Sequence, residues 1–264
     1  MKNYAVLPLL MFAFCAFATD VDVQIVKVEA TPSGDNASIT LVFPENGAIL
    51  ENRVEVQTRV MNFPIGVIME FDRADEIGNY YDGQSIRAVV DNYPCVINTG
   101  PSLSPFDMEG QPFEDVFRFA LPYDLKDGFH FVRVFLCRSY GESLKKPGCF
   151  DLHYFYVKNK KLKKTLNMKA PFLTYNEPSG QIELKSKDPI LLDFYLSNCV
   201  LSEDGYRVRV TVDGKISKIL LEWAPYYIYG LDSGKHKLKL ELLNKNNKLV
   251  KGPCSLFEQT FLVE

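Results

Sequence analysis

Gly128-Phe129-His130-Phe131-Val132-Arg133-Val134-Phe135-Leu136 and Gly234-Lys235-His236-Lys237-Leu238-Lys239-Leu240-Glu241-Leu242 are two versions of one segment. The repetition extends outward from both. Leu125-Lys126-Asp127 precedes the first as Leu231-Asp232-Ser233 precedes the second. Asp82-Gly83 followed by Val90-Asp91-Asn92 matches Asp204-Gly205 followed by Val212-Asp213-Gly214 at identical spacing. Val54, Val56, Thr58, Val60 and Asn62 align with Ile190, Leu192, Phe194, Leu196 and Asn198, and each copy closes 27 residues after its His, at Val157 and Val263. A chain that contains one module twice is read one module at a time.

Each copy reads as strands. Arg53 to Val60 and Tyr206 to Val212 alternate apolar and polar residues with period two, the signature of a half-buried strand. His236 to Leu242 sets Leu on one face and Lys or Glu on the other, a strand with one wet side. Asp-Gly, Asn-Gly and Ser-Gly pairs punctuate the runs as turns. About seven short strands in roughly 95 residues, twice over, is the arithmetic of two β-sandwiches, each long enough to fold around its own core.

Composition narrows the function. Lys plus Arg number 30 against 33 Asp plus Glu, a net charge of -3, which argues against nucleic acid as a partner, since such binding draws its affinity from a basic surface. The three His, at 130, 153 and 236, form no HExxH, and no CxxC, P-loop, nucleophile elbow or dinucleotide fingerprint occurs. His130 and His236 hold equivalent places in the two copies, so they belong to the frame before they belong to any chemistry. Asp72, Asp75 and Glu76 crowd into one loop, whereas glycoside hydrolysis needs two carboxylates fixed across a bond. No enzyme, no cofactor and no metal are expected.

The first residues read as an address. Lys2 is followed by an uncharged apolar run from Tyr4 to Phe17, and Ala16-Phe17-Ala18 fits a cleavage site. Residues 1–18 are therefore expected to be a signal peptide with Thr19 as the mature N-terminus, placing the protein outside the cell or in the periplasm or cell envelope. No apolar run between Asp20 and Glu264 is long enough to span a bilayer as a helix, so no integral membrane segment is expected in the mature chain.

The pattern NG…V-x-V-x-x-x-V-x-N-F…DG…VD-N…L-x-x-G-x-H-x-x-x-V resembles the immunoglobulin-like or fibronectin-III-like accessory modules of secreted and cell-envelope proteins. The resemblance covers both copies. It implies an all-β chain of two tandem immunoglobulin-like β-sandwich domains after the cleaved signal peptide, built to bind, space or assemble rather than to catalyse. The antibody-type Cys…Trp…Cys core is absent, and Trp223 falls between strands C and E of the second copy. The expected boundaries are 19–157 for the first domain with extra N-terminal strands and two loop insertions, 158–170 for a basic linker, and 171–264 for the second domain. Gln24 to Glu29 can add a strand to the first domain or offer an edge to a partner.

Loss of Cys15 with the signal leaves five cysteines, which export turns toward disulfides. In an immunoglobulin-like sandwich the B–C and F–G loops share a pole. That topology implies Cys199–Cys254 in the second copy and Cys137–Cys149 across the first copy's F–G hairpin, with Cys95 left as a free or intermolecular thiol that can link oligomers.

The copies differ most in their loops. Asn62 to Asp82 spans 20 positions where Asn198 to Asp204 spans 6, and Asp91 to Leu125 spans 34 where Asp213 to Leu231 spans 18. Long loops on a rigid sandwich commonly carry binding. The first insertion offers Glu70, Asp72, Asp75, Glu76 and Asp82 beside Tyr80 and Tyr81 as candidate ligand contacts, although the spacing fits no calcium loop. The second insertion, Tyr93 to Glu114, is an equally plausible surface. The resulting expectation is an exported binding or adhesion module for a protein or a glycan. The alternative is a structural envelope component cross-linked through Cys95.

Overall fold

The computed structural model describes residues 22–32, 36–77, 82–102, 114–159, 166–184 and 188–264. The segment read as a signal peptide, Tyr80 and Tyr81, residues 103–113 of the second insertion and residues 160–165 of the basic linker lie outside them.

In chain order the strands are β1 (Gln24–Lys27), β2 (Ser38–Phe43), β3 (Ala48–Leu50), β4 (Glu55–Met61), β5 (Ser85–Val90), β6 (Val96–Asn98), β7 (Glu114–Ala120), β8 (Gly128–Cys137) and β9 (Phe150–Val157), with the short helix α1 (Asp72–Ile77) between β4 and β5. The second half supplies β10 (Phe172–Glu177), β11 (Gly180–Ile182), β12 (Ile190–Ser197), β13 (Arg207–Val212), β14 (Ile216–Leu220), β15 (Tyr226–Tyr229), β16 (Gly234–Leu243) and β17 (Leu256–Val263). They form four sheets, ordered β2-β4-β7 and β3-β9-β8-β5-β6 in the first sandwich, and β1-β15-β12-β10 and β11-β17-β16-β13-β14 in the second. Strand order repeats position by position, down to the parallel pairs β3·β9 and β11·β17 beside otherwise antiparallel partners. These are two immunoglobulin-like β-sandwiches.

The alternation seen in sequence places the cores. Leu238, Leu240 and Leu242 of β16 are fully buried among Val208, Val210 and Phe194. Val132, Val134 and Leu136 do the same for β8 among Val56, Ile86 and Phe155. The shared G-x-H turn has one construction in both copies. Asp91 and Asp213 adopt left-handed φ values of 46° and 50°, where Asp is tolerated because its side chain bonds locally. Asp91 Oδ2 faces His130 Nδ1 at 2.7 Å and Oδ1 accepts the Phe131 amide at 3.0 Å. Asp213 holds His236 at 2.8 Å and accepts the Lys237 amide at 2.8 Å.

The sandwiches are pressed together. Strand β8 is buried on both faces: Phe131, Phe135 and Cys137 point away from their own core and meet Phe172, Tyr195 and Cys254 of the second sandwich. Strand β12 is likewise buried on both faces nearly throughout. Polar groups pair across this contact. Arg133 donates to Thr174 Oγ1 at 3.0 Å, Arg87 meets Glu177 at 3.2 Å, and Asn176 Nδ2 donates to the Gly141 carbonyl at 2.6 Å. Asp193, fully buried, pairs with Lys145 and accepts the Ser143 amide at 3.2 Å. Gly141 sits at φ +87°, and a Cβ there would stand 3.1 Å from Glu177 Cγ. Both the backbone and the close approach favour glycine.

The extra N-terminal strands do not both belong to the first domain, as had been expected. Only β2 does. Strand β1 pairs antiparallel with β15, Ile25 opposite Ile228, and so completes a sheet of the second sandwich. Ile25 has the apolar face required, 5% exposed among Leu192, Tyr226 and Ile228, and Val28 N bonds Pro225 O at 3.1 Å to end the pairing. A fragment of residues 171–264 would lack this strand and lay bare Phe172 and Tyr195. Ile25→Ala in the whole chain should therefore cost about 2–5 kcal/mol in chemical denaturation and speed amide exchange at Tyr226 to Tyr229. An unchanged exchange rate in β15 would contradict the pairing.

Candidate functional site

The first insertion is built into the contact between the sandwiches. In α1, Ala74 and Ile77 are buried against Tyr140, Leu191 and Tyr227. Arg73, just before Ala74, meets Glu142 at 2.6 Å, donates to the Glu29 carbonyl and lies 5.4 Å from the Tyr227 ring centre. Glu76 accepts the Tyr227 hydroxyl. Of the acidic residues nominated as ligand contacts, Glu70, Asp72, Asp75 and Asp82 are exposed, and Glu76 is committed to the second sandwich. Among the described residues no group of three His, Cys, Asp or Glu is placed to hold a metal ion. The insertion docks because its helix has an apolar side, Ala74 and Ile77, which the acidic spacing obscured.

The expected disulfides do not form: Cys95, Cys137, Cys149, Cys199 and Cys254 are all free thiols. Cys137 and Cys149 face different layers. Cys137 lies with Phe135 and Tyr195 between the sandwiches, and Cys149 lies inside the first core with its Sγ donating to the Ala37 carbonyl at 3.3 Å. Cys199 packs on the second core, whereas Cys254 joins Phe131 and Phe172. Proximity of loops at one pole does not bring side chains together when the intervening strands turn them to opposite faces. Burial raises all five thiols, those of Cys149, Cys199 and Cys254 to about 11. Cys95 is thereby held as a poor nucleophile.

Several clefts open along the contact, one of about 560 Å³ beside α1 to which Arg73, Asp75, Glu76 and Tyr227 contribute, and two at its flanks that are lined by residues of both sandwiches. The larger, of about 600 Å³, runs between the start of β9 and the end of β12 and is lined by Phe150, Asp151, Leu152, Tyr195, Ser197 and Trp223, among others. Its wall is aromatic. Phe150 stacks on Tyr195 with centroids 4.9 Å apart and planes at 12°, and Tyr195 meets the edge of Trp223 at 4.9 Å and 78°. Trp223 Nε1 donates to the Phe194 carbonyl at 3.0 Å and Tyr195 OH donates to the Lys146 carbonyl at 2.6 Å, so both rings are held in place. Phe150 and Trp223 are only partly buried, and Ser197 Oγ is without a hydrogen-bond partner. A rigid aromatic wall with polar groups at its margin suits a ligand with an apolar face and peripheral hydroxyl or amide groups. A second cleft, of about 450 Å³, opens where β6 approaches β11, and Arg87, Cys95, Asn176 and Phe257 are among the residues lining it.

The aromatic wall was not among the residues expected to bind, whereas the second cleft takes in Tyr93, Pro94, Cys95 and Ile97 of the second insertion, which the sequence offers as a surface. A signal was present in the comparison of copies. Outward positions that are Lys235, Lys237, Lys239 and Glu241 in the second copy are Phe129, Phe131, Arg133 and Phe135 in the first, which marks a covered face.

No protein-family model matches the chain, and no curated protein does. Similar solved structures include the fibronectin(III)-like modules of CbhA from Clostridium thermocellum, at 12% identity over 86% of this chain and 94% of that one with a TM-score of 0.29. A chimeric titin Z1Z2–Z1Z2 tandem matches at 12% identity over 86% of this chain and 99% of that one, TM-score 0.23. SGBP-B of Bacteroides ovatus, solved with a mixed-linkage heptasaccharide, matches at 8% identity over 100% of this chain and 70% of that one, TM-score 0.22. The fold assignment rests on strand order, register and the duplicated turn.

The turn clamps carry a pH dependence. Burial works against a charged His236, but the Asp213 carboxylate and the Asp232 carbonyl outweigh it and raise its pKa. Burial likewise works against charged Asp213, and His236 with the Lys237 amide outweighs that, lowering its pKa. The raised His contributes stability that is complete below its ordinary value and lost as pH rises through the folded one. The lowered Asp contributes stability lost as pH falls through its folded value. His236→Gln should therefore cost most near about pH 5–6 and progressively less above about pH 7. A cost independent of pH, in denaturation at several pH values, would contradict the clamp.

Proposed function

We propose that the chain is an exported, non-catalytic binding protein that holds a protein or glycan ligand in the aromatic cleft between its two sandwiches. The observation that carries this reading is the fixed Phe150–Tyr195–Trp223 wall. Two rings are anchored by hydrogen bonds to backbone carbonyls, and the cleft beside them, at about 600 Å³, is of a size that takes a small ligand or a protruding side-chain cluster. Such rings lose little freedom on binding, which favours affinity.

Several features support a role without catalysis. His130 and His236 are engaged by Asp91 and Asp213 in duplicated turns, and His153 Nδ1 lies 2.8 Å from the Pro44 carbonyl. Glu142, Glu177 and Asp193 serve the contact between the sandwiches. The apolar run before Thr19, ending in Ala16-Phe17-Ala18, supports export to the periplasm, envelope or medium. Among the described residues no helix is long and apolar enough to cross a membrane. The cross-linked structural alternative needs a reactive Cys95, and burial raises that thiol, so binding is the preferred reading.

Trp223 is the only Trp in the chain, so its fluorescence reports on the cleft directly. Soluble glycans from an array and an envelope protein extract serve as probes. One class should shift the emission of the full-length exported protein. Phe150→Ala and Trp223→Ala, the latter read by calorimetry, should each weaken binding about tenfold or more. A ligand whose affinity is untouched by both substitutions would overturn the assignment of the cleft.

A further inference from the structure

Strand β11 ends its sheet. Among the described residues it pairs with β17 alone, Gln181 opposite Leu262. The Ile182 carbonyl accepts the Glu264 amide at 2.9 Å, and the Glu264 carbonyl accepts the Leu184 amide at 2.9 Å. Backbone groups alternate along a strand, so if Ile182 faces β17, the N–H and C=O of Gln181 face outward. On the other sandwich β6 also ends its sheet, and among the described residues it pairs only with β5.

These two ends line one groove. Ile97 of β6 and Ser179 and Gly180 at the start of β11 border both the 450 Å³ cleft and an adjoining one of about 290 Å³, to which Gln181 and Ile182 also contribute. Exposed apolar side chains stand along it, Ile97 at 38% and Leu256 at 44% exposure. Its depth is polar. Asn176, 3% exposed, donates through Nδ2 to the Gly141 carbonyl and to Asp193 Oδ2 at 2.8 Å, which fixes the amide orientation, and its Oδ1 is without a hydrogen-bond partner. An open strand edge, an apolar margin and an unsatisfied acceptor together match an extended polypeptide. The fold already uses this mode once, where β1 is added to the edge of β15.

We infer that the groove between β6 and β11 binds an extended peptide segment of a partner protein, added as a strand to the open edge of β11. Its main chain pairs with Gln181, and its alternate side chains pack on Ile97 and Leu256. The site is separate from the aromatic cleft and stands or falls independently of it.

The test is selection of a phage-displayed library of random decapeptides on the full exported protein, with enriched sequences resynthesised for calorimetry. Enriched peptides should carry apolar residues at every second position. Gln181→Pro removes the outward N–H while sparing the bonds to β17, and Ile97→Lys changes an exposed side chain. Each should weaken binding at least tenfold with the circular dichroism spectrum unchanged, and N-methylation of alternate peptide residues should abolish binding. Trp223→Ala should leave it unchanged. Absence of enrichment, or binding that survives both N-methylation and Ile97→Lys, would overturn the inference. Loss with Trp223→Ala alone would overturn it too, and would move the peptide to the aromatic cleft.

Discussion

Burial of one face of the first sandwich against one face of the second is the constraint from which the remaining features follow. The face of β8 and β5 that an isolated sandwich would present to water carries Phe131, Arg133, Phe135, Arg87 and Val89, all buried. A guanidinium placed there is tolerable only when it is paired and hydrogen-bonded. Arg133 is held by neutral acceptors, the Thr174 hydroxyl and the Asp91 carbonyl, while Arg87 pairs with Glu177 and Lys145 with Asp193. Such pairs add little net stability compared with an apolar contact, but removing one partner strands a buried charge. They therefore fix which way the two sandwiches meet, while Phe135, Tyr195 and Phe172 supply the apolar area.

Once the sandwiches are locked, the other elements have defined tasks. Strand β1 completes a sheet of the second sandwich, and the chain then returns through Thr31, which bonds Glu142 at 2.7 Å, to begin the first. Helix α1 covers the margin of the contact with Ala74 and Ile77. The clefts open at the margins of the contact, lined by residues of both sandwiches. The same strand positions carry different side chains in each copy, so the duplicated module lines its clefts dissimilarly.

The frame was legible in sequence because it is local. Period-two alternation in Val54 to Val60 and in His236 to Leu242, and the Asp and His at matching turns, fix strands and turns without reference to anything distant. The contact between copies was harder to read, since it depends on side chains far apart in sequence, such as Arg133 and Thr174, which are 41 residues apart. It was nevertheless foreshadowed by Phe at outward positions of β8 and by Leu191 and Tyr195 where the first copy has Glu55 and Arg59. Cysteine pairing was misjudged for a related reason. Topology places loops, but the parity of a residue along its strand decides which layer its sulfur enters, and Cys137 enters the layer between the sandwiches. The carboxylates of the first insertion suggested a ligand site through their charge, while the residues that decide its place are Ala74, Ile77 and Arg73.

The central claim is that the two sandwiches form one fixed body rather than beads on a linker. Small-angle X-ray scattering of the chain from Thr19 onward tests it most directly. Scaling for a compact chain of this length gives a radius of gyration of about 18 Å, whereas two separated sandwiches joined by a free linker give roughly 24 Å. One fixed body gives a value near the lower figure with a single-peaked pair-distance distribution. A value near the upper figure with two resolved peaks would contradict it.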